Sequence, residues 1–229
     1  ELEMQKVKEN NNSIIFFLIG FTILSYFLGF FLNENSAGGG QGDFGNTWKN
    51  ITMFKSNGLF EAIKLTATGD SNIFQSSRIP GVYVFHKLFN PFTNNISQFK
   101  SSIFFFSFLI PVALYISLRI QFKTINKTYL VLISSLIFLS PYFRTSAYWG
   151  NEENFGLLAL IISYIFLQLF TNAIVFKNEF FYLNMLAFFS SCCVYFDQKL
   201  AFVPAISLII ILLSKKRNFF KYFLILIFC

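Results

Sequence analysis

Charge is scarce in this chain: 13% of its 229 residues are Asp, Glu, Lys or Arg, against 55% apolar and 21% aromatic. So little charge cannot clothe the surface of a water-soluble domain of this length. A single histidine and three cysteines leave little metal-ligand chemistry. Cys192 and Cys193 are adjacent inside an apolar run and Cys229 ends another. They read as small buried apolar residues, with no metal-ligand spacing and no disulfide framework. The Gly-Lys-Ser/Thr ending of a phosphate-cradling loop is missing from the one glycine-rich stretch, Gly38-Gly39-Gly40-Gln41-Gly42,. The net charge of +7 does not imply a nucleic-acid partner, because the basic residues sit between apolar runs and no soluble basic face exists to present them.

What the sequence does have is apolar runs of membrane length. A bilayer core needs roughly 20 apolar helical residues, fewer where flanking groups reach back to the interface. Residues 14–32 form the first such run, and others cover 102–118, 129–142, 155–170, 180–196, 200–213 and from Phe219 to the end. The chain is therefore expected to be an all-α polytopic transmembrane bundle of about seven spans,. Pro111, Pro141 and Pro204 fall within or beside these runs and break helices where protein or a water-filled cavity satisfies the freed backbone groups. The first run is longer than a signal-peptide core and is read as a retained anchor. No Met begins the chain and its last run reaches the final residue, which reads as a fragment of a longer protein.

Lys and Arg near span ends set orientation. With residues 1–13 cytoplasmic, the short inner connectors hold Lys6, Lys8, Arg119, Lys123, Lys127, Lys177, Lys215, Lys216, Arg217 and Lys221. Residues 33–100 then form a large extracytoplasmic loop, too long and too rich in aromatics for a turn or a disordered tail. Amphipathic helices at the membrane surface are expected within it, and residues 101–229 carry the remaining spans of the bundle.

Polar groups at span ends are costly and tend to be functional. Asp43 follows the glycine-rich stretch, where it is either a reactive carboxylate or the cap of a helix starting near Thr47. Arg78-Ile79-Pro80-Gly81 marks a turn before an aromatic segment containing His86, the one histidine, read as an interfacial residue,. Ser140-Pro141 begins a connector that carries Arg144, Glu152 and Glu153, and Asp197-Gln198-Lys199 is squeezed between two later runs. By the parity of the spans, all of these emerge on the side of Asp43. Sequons at Asn50 and Asn95 occur at the frequency that so many asparagines give by chance.

A first span, a large outer loop with an early acid, Arg78-Ile79-Pro80-Gly81, and Ser140-Pro141 with Arg144, aromatics and Glu153 together resemble the GT-C superfamily. These are polytopic glycosyltransferases that use polyprenyl-phosphate-linked sugars. Phe196-Asp197-Gln198-Lys199 is similar to the Arg-Gln-Thr-Asn type of motif in the dolichyl-phosphate-glucose α-1,2-glucosyltransferases, with Asp197 in place of Arg. Phe44 follows Asp43 where many members have an Asp-Glu pair. The resemblance implies a catalytic base at Asp43 and donor-phosphate binding by Arg78, Arg144 and Lys199. It implies sugar or acceptor contacts from Glu152, Glu153, Asp197 and Gln198, and inversion at the anomeric carbon. The implied partners are a polyprenyl-phosphate sugar donor, a lipid, glycan or protein acceptor and membrane lipids. No cofactor is fixed by spacing, although Asp43, Glu152 and Glu153 offer carboxylates to a divalent cation. A transporter, with broken helices at its binding site, and a noncatalytic membrane scaffold stand as alternatives.

Overall fold

The computed structural model describes residues 2–68, 80–173 and 176–213. Arg78, the basic residues Lys215, Lys216, Arg217 and Lys221, the run from Phe219 and Cys229 lie outside the described residues. All regular structure among the described residues is helical. The helices are α1 (Leu2–Phe31), α2 (Gly40–Ser56), α3 (Leu59–Thr68), α4 (Gly81–Phe89), α5 (Ile96–Phe106), α6 (Leu109–Gln121), α7 (Lys127–Ser135), α8 (Pro141–Trp149), α9 (Glu153–Asn172), α10 (Phe176–Phe196) and α11 (Phe202–Leu213).

Four helical stretches are long and apolar enough to cross a membrane: Asn12–Phe31, Ile96–Gln121, Glu153–Asn172 and Lys177–Phe196. A fifth crossing is possible if the bent pair Lys127–Leu139 and Pro141–Trp149 counts as one span. At about 1.5 Å per residue, a twenty-residue stretch reaches about 30 Å, the thickness of a bilayer core. The expectation of about seven spans is corrected in two places. The run at 200–213 folds as α11, whose described part has 12 helical residues, about 18 Å at that rise and short of a crossing among the described residues,. The run at 129–142 does not continue straight, for α7 passes through a 3-10 turn (Leu136–Leu139) into α8 with a bend of 67°. The seventh run is outside the described residues.

Proline explains two of the breaks. Pro141 cannot extend the helix before it and begins α8 instead, with Ser140 Oγ accepting the Phe143 N–H at 3.5 Å,. Pro111 has no N–H to offer the Ser107 carbonyl, which accepts from Ile110 at 3.1 Å, so Ile96–Gln121 is divided into α5 and α6,.

The outer surface of the helices is apolar, unlike that of a water-soluble protein,. On α1, Phe16, Phe17, Phe21, Leu24, Leu28 and Phe31 are each more than half exposed, while Thr22 and Tyr26 are buried. Inside, hydroxyls and amides join the helices: Tyr26 Oη to Ser107 Oγ at 2.6 Å, Tyr148 Oη donating to Tyr26 O at 2.6 Å, and Gln168 Nε2 donating to Gln121 Oε1 at 3.2 Å. Apolar outside with polar glue inside is what a lipid solvent selects. The chain is accordingly a multi-helix protein with membrane-length apolar helices. Helices α9 and α10 make the most extensive pair, α6 packs on α9, and α1 packs on α7. Tyr26, Phe104, Phe138, Phe143 and Tyr148 cluster where α1, α5, the 3-10 turn and α8 meet.

Between the first and second candidate spans, α2, α3 and α4 bury Phe44, Ile51, Phe54, Ala62, Val82 and Tyr83 with Phe99 and Phe155 in a second core. The described part of segment 33–100 is therefore mostly helical and packs against α5 and α9. His86 was expected at an interface, yet it is 1% exposed and wedged edge-to-face against Phe99 and Phe155. Asn50 is buried too, which removes its sequon from any modifying enzyme while the fold is intact.

Candidate functional site

The bend between α7 and α8 opens a cavity of about 450 Å³, and the starts of α2 and α9 and the turn after α10 close around it. Asp43, Glu153, Asp197 and Lys199 all line it, with Ser146 and Asn154 between them. Four charged residues from three distant stretches of sequence therefore meet in one space.

Asp43 sits in the first turn of α2, where a carboxylate complements the helix dipole,. Gly38 and Gly39 both take φ of +72°, a left-handed conformation that L side chains resist, and the reversal they make starts α2 at Gly40. The helix starts earlier than Thr47, so Asp43 does not cap it from outside; its own N–H donates to Gly39 O at 3.0 Å. The segment before it is pinned to α8: Ala37 N–H donates to Thr145 Oγ1 at 3.1 Å and Trp149 Nε1 to Glu34 O at 3.0 Å. Asp43 itself is exposed to the cavity.

Glu153 opens α9. The single Ser146 hydroxyl proton is shared between Asn151 O at 3.1 Å and Glu153 Oε2 at 3.2 Å, and Ser146 Oγ accepts the Asn154 N–H at 3.3 Å. Glu153 Oε1 lies 3.7 Å from Lys199 Nζ, whose side chain is 70% exposed. Asp197 turns the chain out of α10 by accepting the Lys199 N–H on Oδ1 at 3.0 Å. It comes this close because residue 156 is glycine: a Cβ there would stand 2.7 Å from that of Asp197.

The other expected site residues are placed elsewhere. Arg144 is not among the cavity-lining residues. Its guanidinium ion-pairs with Glu34, Nη1 donates to Ser25 Oγ at 3.1 Å and Nη2 to Ser25 O at 2.9 Å. Gly29 makes room for this cluster, since any Cβ there would collide with Arg144, Glu34 and Tyr148. Glu152 is buried beside the cavity without lining it, and Gln198 is exposed on the short 3-10 turn. Arg78 is outside the described residues. Among the described residues no group of three or more His, Cys, Asp or Glu side chains is arranged to hold a metal ion. Ser146, Asn151 and Asn154 lay in the noted connector but had no assigned role. Their signal was a run of small polar residues directly before a membrane-length helix.

The first turns of α9 also divide two environments. Asn154 and Leu157 face the polar cavity, while Phe155, Leu158, Ala159 and Ile162 face a second one of about 410 Å³. That one is lined by Phe85, Phe106, Phe155, Phe188, Phe189, Phe196 and further apolar groups from α4, α5, α9 and α10. Phe196 and Asp197, neighbours in the chain, line the apolar and the polar cavity respectively.

These features define a class: an all-helical chain with membrane-length apolar helices, and a charged cavity and an aromatic cavity on two sides of one helix. The chain matches no family model, no curated protein and no solved structure.

Proposed function

We propose that the protein is a membrane glycosyltransferase that moves a sugar from a polyprenyl-phosphate donor to an acceptor hydroxyl on the extracytoplasmic side. The observation that carries this reading is the adjacency of the two cavities across α9. An amphiphile with a long unsaturated tail and a polar head needs both, and aromatic walls suit the tail. The polar cavity suits the head. Asp43, Glu153 and Asp197 are too dispersed to form a metal cluster, and separated carboxylates are strong acceptors for sugar hydroxyls,. Asp43, exposed on the glycine turn, is the base that takes the acceptor proton. Lys199 neutralises the departing phosphate, and Glu153 holds the ammonium near,. Displacement in one step inverts the anomeric carbon. Arg144 leaves this scheme as a phosphate ligand and becomes the clamp between α8 and the end of α1.

On this reading residues 33–100 lie outside the cytoplasm, with α2 and α4 packed against α8 and α10. The experiment is transfer activity in proteoliposomes against a panel of polyprenyl-phosphate sugars. Turnover with one donor that disappears in Asp43→Asn supports the reading, and turnover untouched by that change removes Asp43 as the base.

A second reading is favoured by one specific feature, the 67° break between α7 and α8 that borders the cavity. Broken helices at a polar cavity are how secondary transporters hold their solutes. Uptake of free sugar into the same proteoliposomes, without transfer, would select this reading instead.

A further inference from the structure

Between the second half of α2 and α4 lies a smaller cavity of about 210 Å³, separate from that of Asp43 and lined by Ile51, Lys55, Tyr83, His86, Lys87 and Thr93. No carboxylate is among these residues. Each charged group has part of its donor capacity committed to protein. Lys87 Nζ donates to Phe54 O and to Asn57 O, the latter at 2.8 Å, which closes the C-terminal end of α2. Lys55 Nζ donates to Asn94 Oδ1 at 2.7 Å. An ammonium has three protons, so Lys55 keeps two and Lys87 one for another acceptor.

His86 adds a donor whose identity follows from its neighbours. Phe92 N–H donates to Asn90 Oδ1 at 2.9 Å, which fixes the Asn90 carboxamide with its nitrogen turned the other way. Asn90 Nδ2 then faces Ser102 Oγ at 3.0 Å and His86 Nδ1 at 3.1 Å. The Ser102 hydroxyl is itself spent on Phe99 O at 2.7 Å, so its oxygen accepts from Asn90. The second Asn90 proton goes to His86 Nδ1, which must be the unprotonated nitrogen of a neutral ring. The proton of that ring is therefore on Nε2, and Nε2 is buried with no partner among the described residues. A buried donor left unmade costs about 1–3 kcal/mol.

We propose that the Lys55–His86–Lys87 cavity binds a phosphate group, with His86 Nε2–H as its buried donor and the two ammoniums as its counter-charge. A space lined by two cations, an imidazole N–H and the Thr93 hydroxyl offers donors to an oxyanion and no competing acid. The donors outnumber what two carboxylate oxygens use and match the three free oxygens of a phosphate ester. Free phosphate and a lipid headgroup share this chemistry, and Leu88, Phe89 and Phe92, all exposed nearby on the chain, set an apolar surface beside the cavity. The proposal does not depend on sugar transfer.

The chain's single histidine makes the test clean. In this 229-residue chain, carrying ¹⁵N-histidine and held in detergent, the one imidazole is titrated with inorganic phosphate, and separately with short-chain phosphatidic acid. Expected is a saturable shift of the Nε2–H signal, weakened at least tenfold in apparent affinity by Lys55→Gln, an exposed position whose change leaves the fold intact. The arm that saturates at lower concentration gives the source. No shift in either arm overturns the proposal. So does a shift that Lys55→Gln leaves unaltered, because the anion would then be acting elsewhere. Replacement by His86→Phe, whose fold is checked by its melting transition, should abolish saturable binding measured with ³²P-phosphate or radiolabelled phosphatidic acid, and undiminished binding also overturns it.

Discussion

Two regions hold polar chemistry in this apolar chain, and they use it in opposite ways. Around the Asp43 cavity the charged groups are reachable: Asp43 is exposed, and Lys199 is 70% exposed with Glu153 3.7 Å away. Along the helix seams they are sealed, with the Arg144 side chain 12% exposed on Glu34 and Ser25, and His86 1% exposed on Asn90. Sequence composition makes the two sets look alike, since both are isolated polar residues amid Phe and Leu. Burial separates them. A sealed ion pair is held because removing one partner strands the other, whereas an exposed pair contributes little and remains open to a ligand.

The largest difference concerns Asp43→Asn. As a general base, Asp43 should contribute about 100- to 10,000-fold to turnover, while its exposed position leaves the melting temperature of the detergent-purified protein nearly unchanged. Parallel transfer assays and thermal unfolding check this. A variant that loses activity only in proportion to lost fold would move Asp43 into the structural set.

The converse holds for Arg144→Met. Glu34, with its side chain 27% exposed, would lose its cation, and because neither partner is fully buried the expected cost is about 1–3 kcal/mol of stability. Denaturant unfolding reads this directly, and adding Glu34→Gln should recover part of the loss. Were Arg144→Met as stable as the parent but unable to bind donor, the guanidinium would belong with the cavity after all.

How much of this was legible in the sequence depends on the kind of information each feature needs. The apolar runs are legible because a lipid-facing helix needs no partner to be stable in its solvent. The meeting of Asp43, Glu153, Asp197 and Lys199 was legible through span parity, which put their three segments on one side. The fate of Arg144 was not, because it turns on about 100° of rotation. Thr145 and Ser146 on α8 line the cavity, while Arg144, one residue earlier, faces Ser25 of α1,. Its partner Glu34 carried no signal of its own. The depth of His86 was equally hidden, since a short aromatic helix reads the same whether it lies on a membrane or under α5 and α9.

His86 offers a pH test of the sealed set. Burial pushes its pKa down to about 3, whereas an unfolded chain has it near 6.5. Between these values the unfolded state binds the extra proton, so the contribution is fully present above about pH 6.5 and is lost as pH falls toward 3. The slope approaches about 1.4 kcal/mol per pH unit. Lys55 and Lys87 are the charged groups that line the cavity with the ring. Unfolding free energies between about pH 6.5 and 5.5, above the range where most carboxylates titrate, should fall in the parent and stay flatter in His86→Phe. Equal slopes would mean that the ring is not sealed.

The smallest effect on stability belongs to Lys199→Gln. Its contact with Glu153 spans 3.7 Å with the lysine largely in solvent, and exposed pairs of this kind contribute a few tenths of a kcal/mol. The fold should not register the change. A charge-assisted contact to a donor phosphate is worth about 1.5 kcal/mol or more, so the donor KM should rise about tenfold while the melting temperature stays put. Lys199→Arg, which keeps the charge, should restore most of that affinity, and failure to do so would mean that the position supports Asp197 and its turn rather than the ligand. The reachable set would then shrink to its carboxylates, and a cavity with acids and no working cation fits a solute transporter better than a phosphate-releasing transferase.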